Sequence, residues 1–208
     1  PPIHTVSLHA NPVLTNKPTL TNANCYYVTP GTTPPTNGTW TTLYFLPGVH
    51  NIGIAYPVRE GCQYYIPGDA ILYGTFHNSD WANGDNIRIF GHGTLSITGW
   101  QNPRFVVPPL PDVNLYHPIH ITGAYNTSVE GITIADPANQ SVMLGSWEYH
   151  ANVTNVVSWV KAFTWRPNGD GGGCGADNDV NNCFYRTQDD GLYVGGRRVS
   201  ENVQWCDA

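Results

Sequence analysis

The 208 residues suit one domain large enough to bury its own core and give no reason to expect two. A net charge of -6 with only nine Lys and Arg argues against nucleic-acid binding, and no run approaches the roughly 18 apolar residues of a membrane span. Charged residues make up 12%, whereas 22 Gly and 17 Pro stand among abundant Asn, Thr and aromatics, so the class expected is all-β.

In chain order, residues 1–41 are rich in Pro, Thr and Asn and read as an extended or loop-rich N-terminal arm. No charged n-region or apolar h-region opens the chain, so any signal peptide is expected to have been removed or to lie outside this sequence. Strands are predicted at Thr42-Leu43-Tyr44-Phe45-Leu46, stopped by Pro47-Gly48, then at Tyr64-Tyr65-Ile66 and at Ala70-Ile71-Leu72-Tyr73. From about residue 86 a repeat emerges, with Val129, Val153, Val180 and Val203 leading successive units at intervals of 24, 27 and 23. Val142-x-Leu144 and Leu192-x-Val194 supply second apolar pairs within those intervals. Strands alone at a period in the twenties give a right-handed parallel β-helix over 42–208. A leucine-rich repeat would need more Leu, and a β-sandwich would need more Asn-Gly or Asp-Gly hairpin corners.

Stacking the units brings residues most of a period apart onto neighbouring strands of one face. That is why Asp170, in Asn168-Gly169-Asp170-Gly171, and the pair Asp189 and Asp190, nineteen residues on in Thr187-Gln188-Asp189-Asp190-Gly191, are expected to converge. Adjacent carboxylates repel when both are ionised, which favours keeping one protonated as a general acid. Asp-Asp-Gly and Asn-Gly-Asp-Gly are also ordinary turn sequences, and Asp170, Asp177, Asp179, Asp189 and Asp190 carry oxygens of the kind calcium takes, although no EF-hand pattern is present. Metal-site cysteine spacings are absent, the eight His are scattered, and no metal or other cofactor is expected.

Trp165, Tyr193, Trp147 and Tyr149 fall near the acids in the repeat and are candidate platforms for the apolar faces of sugar rings; each would equally serve the core or its flank. Arg186 is a candidate to orient a carboxylate or contact substrate. His92 and His150 have no partner nameable from sequence. Asn37, Asn126, Asn139 and Asn152 head glycosylation sequons, which favours a secreted glycoprotein. Of five cysteines, Cys25 with Cys62 is one plausible disulfide, while Cys183 pairs with Cys174 or Cys206, leaving one unpaired.

The run Thr187 to Gly196, with Asn168-Gly169-Asp170-Gly171 before it, resembles the active-site stretch of β-helical glycoside hydrolases, most nearly family 49, the dextranases and isopullulanases. Leu43-Tyr44-Phe45-Leu46-Pro47-Gly48-Val49 and Gly91-His92-Gly93 are similar to further motifs of that family, and Val203-Gln204-Trp205-Cys206 falls where its next repeat unit is expected. The resemblance spans about residues 42–208. It implies that Asp189 is the general acid, that Asp170 and Asp190 activate water, and that the anomeric carbon inverts. Tyr193 stands where dextranases are expected to carry a basic residue, and the polygalacturonase-type Arg-x-Lys is missing, which disfavours pectin. By the same resemblance, later repeat units and a large N-terminal β-sandwich are expected outside this sequence. The expectation is a secreted endo-glycosidase on an α-glucan polysaccharide. The rivals are a non-catalytic extracellular β-helical glycoprotein that self-associates into a fibre, filament or wall component, and a carbohydrate-binding module.

Overall fold

A computed structural model describes residues 9–78, 84–100, 112–145, 155–175 and 178–194. Apart from a short 3-10 turn at Val113–Tyr116, their regular structure is β-strand. One sheet stacks, in this order, β1 (Cys25–Val28), β2 (Thr42–Phe45), β4 (Gln63–Ile66), β6 (Arg88–Gly91), β9 (Ser128–Glu130), β12 (Asn155–Ser158) and β15 (Asn178–Asn181). The other is built on two long strands, β3 (Gly48–Pro57) and β5 (Ala70–His77). From β5 two rows diverge. One is β7 (Thr94–Ser96), β10 (Thr133–Ala135), β13 (Lys161–Phe163) and β16 (Phe184–Arg186); the other is β8 (Ile119–Thr122), β11 (Val142–Gly145), β14 (Gly172–Cys174) and β17 (Leu192–Val194). Every pairing is parallel, and from β6 onward each circuit of the chain adds one strand to the first sheet and one to each row.

A strand presents alternate side chains to opposite faces, so stacked circuits align one apolar residue over the next. Leu43, Tyr64, Ile89, Val129, Val157 and Val180 form such a column, all buried in one core. Each contributes about 1.5–3 kcal/mol through burial. Beside them runs a buried polar column. The Thr127 amide donates to Asn155 Oδ1 (3.0 Å), and Asn155 Nδ2 donates to the Ala124 carbonyl (2.9 Å) and Asn178 Oδ1 (3.1 Å). Asn178 Nδ2 donates in turn to the Leu144 carbonyl (2.6 Å).

Three expectations need correction. The stack starts within the supposed arm, because β1 pairs with β2; the loop after β1 packs against it, with Tyr56 donating to the Pro35 carbonyl and Arg59 lying 4.1 Å over the buried Trp40 ring. The repeat is also less even than the Val spacing suggests. Val157, not Val153, aligns with Val129 and Val180, since Asn155 has to reach the buried polar column, and a long excursion after β7 sets Thr127 40 positions from Ile87, its neighbour one strand back. Finally, Cys25, Cys62 and Cys183 are free thiols. Cys25 aligns with Thr42 and Thr42 with Gln63, so Cys25 and Cys62 lie about two strand spacings apart, roughly 9–10 Å and beyond disulfide reach. The Cys174 side chain, and Cys206 altogether, fall outside what is described.

The arm itself crosses the stack. Asn11 donates to the Gly131 carbonyl (3.1 Å) and accepts from Lys161 Nζ, while the His9 ring lies 4.4 Å from that of Phe184. Replacing Asn155 with Leu strands the Thr127 amide, the Ala124 carbonyl and Asn178 together. Chemical denaturation should show a loss of about 2–4 kcal/mol, and an unchanged midpoint would refute the role given to this column.

Candidate active site

The acids sit where the chain passes from one row of the second sheet to the other. Before that passage Phe163 aligns with Arg186, and after it Gly172 aligns with Leu192. The turn at 164–171 therefore lies over the turn at 187–191, one strand spacing of about 4.8 Å away. Asp170 and Asp190 each stand two residues before these aligned strands, at equivalent places. The Gly171 amide donates to the Asp190 carbonyl (2.9 Å), and the Ser141 amide (3.0 Å) and hydroxyl (2.7 Å) donate to the Asp170 carbonyl. Asp170 is thereby buried between two circuits, whereas Asp189 and Asp190 are exposed.

The glycines around Asp170 have steric reasons. Asn168 takes a left-handed conformation (φ 58°), which folds the chain so that the Gly169 amide reaches the Arg166 carbonyl (3.0 Å). A Cβ on Gly171 would stand 2.1 Å from the Gly191 carbonyl oxygen and 2.5 Å from Tyr185 Cγ. Asp170 is thus flanked by a position that only glycine fills while the two turns stay in contact.

The turn is tied backward by Arg166. Its Nε donates to the Asp136 carboxylate (2.6 Å), and its terminal nitrogens donate to the carbonyls of Ile97, Trp100 and Asp136. One guanidinium so joins three successive circuits at the acid-bearing corner. Nothing in the sequence marked this residue, because its acceptors are mostly carbonyls tens of positions away.

Against this corner lies a groove of about 460 Å³, lined by Phe163, Thr164, Trp165, Arg186, Thr187 and Gln188. Trp165 is 60% exposed, which sets its ring apart from the core aromatics and leaves it free to meet a ligand. The Arg186 side chain is exposed and forms no ion pair with another described residue. Tyr193 on β17, 43% exposed, aligns with Gly173 on β14 and does not line the groove. Trp147, Tyr149 and His150 lie outside the described residues, as does Asp177 of the calcium alternative; no group of three metal-ligating residues gathers among those described. Of the sequons, Asn37 and Asn126 are exposed and Asn152 lies outside the described residues. Asn139 is a correction, since its side chain is completely buried and out of a glycan's reach.

Sequence reasoning also missed a histidine group. His77 and His120 are aligned neighbours with rings 5.0 Å apart, and the His117 ring lies 5.1 Å from that of His120. Burial, reinforced by His77 and opposed by Asp112, brings His120 down to about 4. Burial likewise lowers His77. This row ends at Tyr193, through His120, Met143 and Gly173.

No protein-family model and no curated protein matches the chain in sequence. Solved structures match it in shape. A candidate glycosyl hydrolase from Parabacteroides merdae ATCC 43184 aligns with a TM-score of 0.60 at 15% identity, over 80% of this chain and 82% of that one. Dex49A from Penicillium minioluteum aligns with a TM-score of 0.60 at 20% identity, over 84% of this chain and 33% of its own. This chain therefore spans about a third of Dex49A. At these identities the likeness establishes a shared fold.

Two outcomes follow from the geometry. Gly171→Ala should separate the two turns and lower the thermal midpoint, and a variant with the wild-type midpoint would contradict the contact described. His120, held below the 6.5 of a free imidazole, binds its proton less readily folded than unfolded. Folding stability should consequently fall as pH drops from 6.5 towards 4, and urea titrations of His120→Asn should show a flatter dependence over that window.

Proposed function

We propose that the chain is the catalytic part of a secreted, inverting endo-glycosidase that hydrolyses an α-glucan such as dextran or pullulan, and that its parallel stack winds as a right-handed β-helix. The observation that carries this reading is the placement of Asp170 and Asp190 at equivalent positions on stacked turns, joined through the Gly171 amide and bordered by the Trp165 groove. The motif resemblance to family 49 and the fold shared with Dex49A point the same way.

Inversion requires an acid and a base with carboxyl groups roughly 6.5–9.5 Å apart, so that a water fits opposite the leaving group. Side chains splayed from backbones one strand spacing apart can provide that gap. Asp189 would protonate the glycosidic oxygen as the bond to the anomeric carbon breaks. Asp170 and Asp190 would take a proton from the water attacking that carbon from the opposite side, giving a hemiacetal of inverted configuration. Trp165 offers a flat apolar surface to a sugar ring, and Arg186 a donor to its hydroxyls. Asn37 and Asn126 fit a glycosylated extracellular protein, because both are exposed.

The test is release of reducing ends from dextran, pullulan and polygalacturonate by the full-length protein. Activity on a glucan should fall about 10²–10⁴-fold in Asp189→Asn and in Asp170→Asn, with proton NMR showing inverted product. Absence of activity on every glucan, or retained configuration in the product, would defeat the proposal.

A further inference from the structure

We propose that Thr164 is a positioning residue whose hydroxyl fixes Asp170 relative to Asp189 and Asp190; this rests on the hydrolase reading above. Thr164 lies at the start of the turn that carries Asp170 and is 7% exposed. Its Oγ1 donates to the Gly169 carbonyl (2.5 Å), adjoining Asp170, and accepts from the Gln188 amide (2.8 Å), adjoining Asp189. A hydroxyl is the smallest side-chain group that donates and accepts at once, and here each role serves a different acid-bearing turn. Its own amide donates to the Arg186 carbonyl (2.9 Å), so the side chain extends the backbone ladder across a corner where strand pairing has stopped. The Thr187 hydroxyl then closes the second turn by donating to the Asp189 carbonyl (2.8 Å).

The absence of a side chain at Gly169 fits this role. A Cβ there would stand 2.7 Å from Thr164 Cβ and 2.9 Å from its Oγ1. Glycine thus leaves room for threonine to lie against the turn, and β-branching restricts χ1 so that the hydroxyl stays between its two partners. Without it the two turns would still touch through the Gly171 amide and the Asp190 carbonyl, but the segments preceding the acids would lose their common tie.

Thr164→Val keeps the shape and removes the hydroxyl, whereas Thr164→Ser keeps the hydroxyl. On whichever glucan the wild type cleaves, the valine variant should lose about 10–100-fold in kcat with KM within roughly twofold, as expected for a displaced catalytic group, and the serine variant should recover most of kcat. Val129→Ala, a core variant distant from the corner, serves as the stability control, assayed well below its thermal midpoint, and should keep kcat. Carboxyl NMR gives a readout that needs no turnover: the Asp170 titration midpoint should move in Thr164→Val and return in Thr164→Ser. Wild-type-like kcat in the valine variant, failure of serine to rescue, or an equal kcat loss in Val129→Ala overturns the positioning role and leaves the hydrolase reading intact. An inactive wild type removes the hydrolase reading, and an Asp170 midpoint unmoved by valine overturns the positioning role even then.

Discussion

The in-register parallel ladder between successive circuits is the constraint on which everything else rests. Because each strand pairs with its counterpart one circuit earlier, a side chain's neighbours are set by position in the circuit and not by distance along the chain. The apolar column through Leu43, Ile89 and Val180 follows from this, and so does the meeting of Asp170 with Asp190. The ladder also tolerates unequal circuits, since an excursion between strands costs loop entropy that grows only slowly with length. The long segment between β7 and β8 leaves the register on either side of it intact.

At the corners the ladder stops and side chains take over its work. Buried amides are costly unless hydrogen-bonded, so Asn155 and Asn178 bind each other and the carbonyls beside them, and the column they form holds one corner in step across circuits. At the acid-bearing corner, Arg166 ties the upper turn back to two earlier circuits and Thr164 ties it forward to the next. The exposed Asp189, Asp190 and Trp165 and the buried Asp170 are thereby mounted on turns that packing alone would leave loose.

Much of the scaffold was legible beforehand because short apolar runs bounded by Gly and Pro mark strands directly. Thr42 to Phe45, Ala70 to Tyr73 and Leu192 to Val194 were all read from such runs. The slip from Val153 to Val157 shows the limit of that reading. A run of Val, Thr, Asn and Val admits more than one alignment, and what selected one was the burial of Asn155 against Asn178. Corners were harder still. Gly131 and Asn182 have sequences suited to a left-handed corner, yet Trp159 at the same place takes φ 57° and nothing in its type announces it. Likewise the Asn139 sequon gave no hint that its side chain points into the core.

The amino-acid sequence by itself determined the all-β class, the strand segments and the three acids with their flanking glycines, because these depend on local propensity, alternation and turn chemistry. Only the tertiary structure decided which residues meet. The separation of Cys25 from Cys62, the Arg166 clamp, the Thr164 joint and the His77 to His120 contact all depend on register, which is a sum of backbone pairing and core packing over whole circuits. No stretch of local sequence contains that sum.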